Sequence, residues 1–280
     1  MSAPRHATPP APLSPHEQRI VEQTLAMYRE GWFPMAELHH GPDGTEIVQP
    51  AQWVQPQHRS IIPLDDDGLI LSRSLRQRLR RAPFRVTTDL ALADVLHACA
   101  EPRPADKSDP DAAPAPGWLS DEIIELVLLL GRAGIAHSVE AWIDPGQHDP
   151  ADQSEPPRLV GGLYGIAIGR VFCGESMFSR PALGGTDASK VCLAHLWHHL
   201  RARGFAVLDT QIMNDHMARL GAREISMQDY QRLLHTHAAI NTSAAASVVS
   251  WSPWTTPDQW PTDAPTVSPP RGEKSRRSRG

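Results

Sequence analysis

Cysteine is scarce in this chain, three in 280 residues, and Cys99, Cys173 and Cys192 lie too far apart for a disulfide framework or a zinc ribbon. No apolar run approaches the ~20 residues needed to cross a bilayer. The opening MSAPRHATPPAPLSPHEQ has no apolar stretch behind its first basic residue, so no secretory signal is expected. Positive charge is not in excess: 27 Lys and Arg face 32 Asp and Glu, a net charge of -5, so any nucleic-acid contact must be local. These absences argue against a membrane protein, a disulfide-stapled secreted protein and a cysteine-built metal fold. They fit a reducing cytoplasm.

Proline, by contrast, is plentiful, with 27 residues placed in blocks. Residues 1–15 hold five of them, which fix φ and remove donors, so that segment is expected to be disordered. Residues 101–117 and 144–157 read as Pro/Asp-rich loops. Residues 241–280 carry Trp251, Trp254 and Trp260 among prolines and end in PPRGEKSRRSRG, which reads as a disordered tail with a basic tip.

The remaining sequence is strongly patterned. Ser14 is placed to cap a helix through Tyr28, with Pro15 at its first position and Gly31 beyond its end. Helices are also expected over Ser72–Arg81, Ala91–Ala100, Ser120–Gly131, Asp187–Arg203 and His216–Leu220, with one more ending near His237. Strands are expected over Phe84–Thr88, His137–Ile143, Arg158–Gly169, Arg170–Phe178 and Phe205–Ile212, with another before the last helix. Helices, an antiparallel meander, a helix and another strand make an α+β protein. The order is similar to that of GNAT-type acyltransferases.

Specific segments narrow this further. LVGGLYGIAIGRVFCGESMFSR (Leu159–Arg180), DASK (Asp187–Lys190), LDTQ (Leu208–Gln211) and HMARLGAREI (His216–Ile225) follow one another at compact spacing. Together with AHSVEAW (Ala136–Trp142), SRSL (Ser72–Leu75) and FRVTTD (Phe84–Asp89), they resemble the bacterial leucyl/phenylalanyl-tRNA–protein transferase family over roughly 24–234. The resemblance implies a cytoplasmic enzyme that moves Leu or Phe from tRNA onto an N-terminal Arg or Lys; a monomer is the simplest expectation, and an apolar donor slot is expected to confuse Met with them. In that family the product marks a protein for degradation, as an N-degron. It also implies a small N-terminal domain (16–58) before a GNAT-like domain (59–240) with a mixed, largely antiparallel sheet flanked by helices. No metal, acyl-CoA or other cofactor is expected.

Residue by residue, the resemblance makes Glu175 an active-site carboxylate, able to bind the donor's α-amino group or draw in the acceptor amine. Asp209 and Gln211 stand at i and i+2 on a strand, so both are expected on one face. A neutral amide is a very weak base, which suits Gln211 to orienting the amine and Asp209 to holding Gln211. Leu163, Phe172, Leu193, Leu196 and Leu208 are expected to line the slot for the donor side chain. Such a slot discriminates a methylene by only ~1–3 kcal/mol, and family pockets carry more bulk where this chain has Leu163 and Leu196. Arg73, Arg76, Arg80 and Arg81 fall on overlapping helical faces in a stretch with no acid, a stripe suited to tRNA phosphates. For the terminal adenosine the family stacks aromatic rings. Trp118 matches one; the second is replaced by Met35 in Gly31-Trp32-Phe33-Pro34-Met35, and either Met35 or Trp32 is left to serve.

Other features carry less. His195 and His199 have i, i+4 spacing but lack the intervening Glu and a third ligand; with His198 they read as helix-surface residues. Cys173 has no partnered base for a covalent acyl-enzyme. Gly161, Gly162 and Gly165 imply close approach by a substrate or a neighbouring segment, and Asp187 or Ser189 is placed to cap a helix. The alternatives are an acyl-CoA-dependent N-acetyltransferase, which would want a Gly-rich pyrophosphate loop where the chain reads Arg180–Asp187, and a non-catalytic RNA- or N-terminus-binding adaptor.

Overall fold

Ser14 opens the first helix with a reciprocal cap. Its hydroxyl accepts from the Glu17 N–H at 3.3 Å, and its own N–H donates to the Glu17 carboxylate at 2.7 Å. The computed structural model describes residues 11–36, 38–40, 46–48, 51–102, 119–146, 156–238 and 251. The expectations for residues 1–10, 103–118, 147–155, 241–250 and 252–280 lie outside it.

In chain order the elements are α1 (Pro15–Arg29), β1 (Phe33–Met35), β2 (Leu38–His40), β3 (Glu46–Val48), β4 (Gln52–Val54), β5 (His58–Pro63), α2 (Arg73–Arg81), β6 (Arg85–Thr88), α3 (Leu92–Ala100) and α4 (Asp121–Arg132). There follow β7 (Ala136–Ile143), β8 (Arg158–Ile168), β9 (Val171–Ser179), α5 (Ala188–Ala202), β10 (Val207–Gln211), α6 (Asp215–Arg219), β11 (Arg223–Ser226) and α7 (Met227–His237). Seven strands form the main sheet in the order β11-β5-β10-β9-β8-β7-β6. Every neighbouring pair is antiparallel except β9 and β10. This is the expected α+β architecture, a largely antiparallel sheet flanked by helices.

Two apolar cores sandwich that sheet. On one face α2 and α5 contribute Leu75, Leu79, Leu193, Leu196, Trp197 and Leu200. On the other, α1, α3, α4 and α7 contribute residues such as Tyr28, Leu96, Leu130 and Tyr230. The approach of α5 explains one glycine: a Cβ on Gly161 would lie 2.4 Å from the Ala188 Cβ. The neighbour is the protein's own helix. At Gly165 a Cβ would meet the Phe172 ring at 2.3 Å and the Cys173 carbonyl at 2.4 Å, again with no room for a side chain.

Two sequence expectations change. The strands β1 to β5 were not foreseen: β1 to β4 are three residues each, too short to show a period, and β5 buries the polar Arg59 and Ser60 completely. The segment 16–58, expected as a small N-terminal domain, sends α1 into the core under the sheet, where Val21, Leu25 and Tyr28 cluster with Ile166, Ile168 and Leu234. Trp251, read as part of a disordered tail, is docked: its ring stacks on His137 at 4.4 Å and on Phe172 at 5.5 Å, and its N–H donates to Asp89 at 2.7 Å. Burying most of an aromatic ring and pairing its one donor offsets the entropy of ordering it.

The start of α5 also differs. Asp187 sits in the left-handed region (φ 61°) and makes no side-chain cap; its carboxylate instead pairs with Lys190 at 2.8 Å and Arg78 at 3.4 Å. The Ser189 N–H is satisfied from outside the helix, by the Ser179 hydroxyl at the end of β9.

Candidate active site

Strands β9 and β10 run side by side only as far as the partners Cys173 and Asp209. Just beyond that point each strand is interrupted. In β9 the register with β8 jumps from Gly165↔Gly174 to Tyr164↔Ser176, which leaves Glu175 as the extra residue of a bulge. The change of parity shows in the packing: Phe172 and Met177, five apart, both face the α5 side. In β10 the register with β5 slips between Asp209 and Gln211, and Gln211 takes φ 62°. Bulges of this kind re-aim side chains. Here they bring Glu175 and Gln211 together, with the Gln211 Nε2 donating to the Glu175 Oε2 at 2.5 Å.

The far oxygen of Glu175 accepts from the Tyr28 hydroxyl at 2.9 Å, so α1 reaches directly into this site. Burial is the larger influence on the Glu175 carboxyl and pushes it up to about 7, against the two hydrogen bonds, which favour the charged form. A carboxyl poised there exchanges protons near neutral pH.

Asp209 is fully buried and belongs to a different set of contacts. Arg59, also fully buried, donates from Nε at 3.0 Å and Nη2 at 2.7 Å to its carboxylate. Tyr230 donates its hydroxyl at 2.7 Å, and the backbone N–H of Gln211 donates at 2.7 Å. The Arg59 guanidinium lies over the rings of Phe33 and Tyr230, at 4.5 and 4.8 Å from their centroids. Burial is the largest single influence and opposes its charge, but the attraction and hydrogen bonds of the Asp209 carboxylate, together with Tyr230 and Cys173, outweigh it and hold the guanidinium protonated above its usual range. Asp209 thus holds Gln211 through the backbone, fixing the left-handed turn, rather than through the side-chain amide. The bulge sets aside the simple alternation expected for i and i+2.

Glu175 and Gln211 lie in the wall of a cavity of about 1170 Å³. Leu163, Leu193, Leu196 and Leu208 form its apolar end, joined by Met177, which the sequence reading missed. Phe172 does not reach it: the ring is fully buried in the core and packs against Trp251. Met35 and Phe33 line the cavity; Trp32 is half-buried and is not among its lining residues, and Trp118 lies outside the described residues.

The arginine stripe is on α2, held against α5 by Leu75 and Leu79. Arg73, Arg80 and Arg81 are exposed, Arg76 is half-buried, and Arg78 is taken up by Asp187 at the mouth-side end of α5, two residues from the cavity-lining Ser189.

Among the described residues no cluster of three His, Cys, Asp or Glu is placed to hold a metal ion. His195 and His199 are part-buried rather than surface residues, and burial lowers both to about 4. Cys173 is fully buried, and burial pushes its thiol up, which disfavours the thiolate needed for nucleophilic attack.

Tyr28, Arg59 and Tyr230 are site residues that the sequence reading did not single out. Tyr28 bore the only signal, as one of the apolar positions of its helix. Arg59 and Tyr230 gave none, because their meaning depends on a partner 150 and 21 residues away.

The family model described as leucyl/phenylalanyl-tRNA protein transferase matches residues 61–235. A relative of that name from Chlorobaculum parvum is 41% identical over 219 residues, 78% of this chain and 95% of the relative. Another from Novosphingobium aromaticivorans is 42% identical over 82% of this chain and 70% of its own length. A third, from Ruegeria pomeroyi, is 40% identical over 83% and 92%. Among solved structures, FemX aligns with a TM-score of 0.44 and 12% identity over 64% of each chain, a likeness too partial to argue from. No described helix is long and apolar enough to cross a membrane.

Proposed function

The chain belongs to the leucyl/phenylalanyl-tRNA–protein transferase family, and from that premise we propose that it carries Leu or Phe from tRNA to an N-terminal Arg or Lys. It is an aminoacyltransferase that uses aminoacyl-tRNA to modify protein N-termini, a modification that the family uses to mark proteins for degradation. The cytoplasm, where charged tRNA is made, is the compartment we assign to it, with the chain acting as a monomer on a GNAT-like domain preceded by a small N-terminal one.

The observation that carries the reading is the Gln211–Glu175 hydrogen bond in the wall of an apolar cavity. The donor is already activated as an ester, so the enzyme has chiefly to align it with a neutral amine. Alignment of this kind supplies about 7–11 kcal/mol. Because the Nε2 of Gln211 is engaged by Glu175, its Oε1 is left to accept from the acceptor amine and point its lone pair at the ester carbonyl. The amine nitrogen bonds to the carbonyl carbon, the bond to the ribose oxygen breaks, and the tRNA hydroxyl leaves with a proton. That one proton comes from the amine nitrogen: Glu175 takes it and hands it on to the departing ribose oxygen, a role suited to a carboxyl near 7.

The donor side chain enters between Leu163, Leu193, Leu196, Leu208 and Met177, and the terminal adenosine meets Phe33 and Met35. The exposed Arg73, Arg80 and Arg81, with Arg76, take acceptor-stem phosphates, contacts that position any tRNA without reading its sequence. To test the reading, Leu-, Phe- and Met-tRNA are each mixed with peptides beginning Arg, Lys, Asp or Ala, and product masses are read. Addition of Leu or Phe to the Arg and Lys peptides is expected. Transfer confined to Asp- or Ala-initiated peptides, or none at all, contradicts it.

A further inference from the structure

An enzyme that selects a basic N-terminal residue needs a carboxylate free to receive its side chain. Three carboxylates line the cavity: Glu101, Glu175 and Asp215. Glu101 is bound by Arg180, whose guanidinium is also seated over the Phe178 ring. Glu175 is occupied by Tyr28 and Gln211. Asp215 is exposed on the rim and has no ion pair or side-chain hydrogen bond among the described residues.

Its placement is well defined. Asn214 caps the short helix α6, its side chain accepting from the Met217 N–H at 2.9 Å, and Met217 is buried in the α5-side core. That anchors Ile212, Asn214, Asp215 and His216 as one wall of the cavity, with Asp215 four residues beyond Gln211 in the chain. An acceptor whose α-nitrogen lies on Gln211 has its first side chain facing this wall, and the remaining length of peptide leads out past it. A lone carboxylate there repels phosphate and so does not belong to the tRNA path. It suits a guanidinium or ammonium group.

We infer that Asp215 is the specificity-determining residue for the basic side chain of the acceptor, an inference that rests on the aminoacyl-transfer reading above. The test uses the full chain with Leu-tRNA and two peptides that differ only in their first residue, arginine or its uncharged isostere citrulline. The wild type is expected to favour arginine. In Asp215→Asn the arginine-to-citrulline ratio of kcat/KM is expected to fall about tenfold, the low end for a hydrogen bond to a charged group, through the KM for the arginine peptide. The KM for Leu-tRNA stays as it was, and Asp215→Glu keeps most of the preference. An unchanged ratio in Asp215→Asn, or an equal loss on both peptides, overturns the assignment while leaving the transfer reaction standing. A wild type that transfers to neither peptide overturns both.

Discussion

Glu175 and Gln211 meet at 2.5 Å across the place where two parallel strands part, and each stands at a bulge in its own strand. Neither position is a regular strand site. The pairing is therefore a product of two coincident interruptions, and its chemistry is open to titration.

The first consequence is for stability. Burial raises the Glu175 carboxyl from the ordinary 4.5 to about 7 in the folded protein. Between those values the folded state keeps a proton that the unfolded state has released, so stability falls as pH rises through the window and stays reduced above it. The Glu175→Gln variant lacks this loss. Its stability relative to the wild type is expected to rise by no more than about 3 kcal/mol between pH 4.5 and pH 7.5, measured by urea unfolding at each pH. A constant difference across that range contradicts the assignment.

Tyr28 provides a second handle on the same group. Its hydroxyl stabilises the charged form of Glu175, so Tyr28→Phe raises the carboxyl further. The acid limb of the transfer rate is expected to move up by about one pH unit. A pH–rate profile under single-turnover conditions reads the shift directly; a limb that stays in place shows that the hydroxyl does not act on Glu175.

The buried pair of Arg59 and Asp209 is a structural commitment. Removing Arg59 leaves a carboxylate in the core with its principal counter-charge gone. Arg59→Ala is expected to destabilise the protein by about 3–5 kcal/mol, measured by denaturant unfolding at neutral pH. A loss below about 1 kcal/mol contradicts that structural role.

The sequence made the long elements legible because their signals are local. Ser14, Ser72 and Ser120 each cap the helix that follows, and the apolar meander falls where β7, β8 and β9 lie. The proposed trio Glu175, Asp209 and Gln211 stands out through its motifs, but its geometry does not. Strand alternation puts Asp209 and Gln211 side by side, whereas the left-handed φ of Gln211 separates a buried, Arg59-bound carboxylate from a cavity-facing amide. A bulge depends on the partner strand, and the partner here is β5, a strand whose buried Arg59 and Ser60 look like a polar loop in the sequence. Phe172 went the same way: its residue type fits a pocket, but its position in β9 turns it toward Trp251, 79 residues later in the chain.

The central claim, that Gln211 and Glu175 act as one unit on the acceptor amine, is tested most directly by a double-variant comparison. Single-turnover transfer from Leu-tRNA to a peptide beginning with Arg is measured for the wild type, Gln211→Ala, Glu175→Gln and the double variant. Each single change is expected to slow transfer about a hundredfold, and the double variant to be no slower than the worse of the two, as for groups that work together. Single variants that transfer at the wild-type rate, or losses that multiply in the double variant, contradict it.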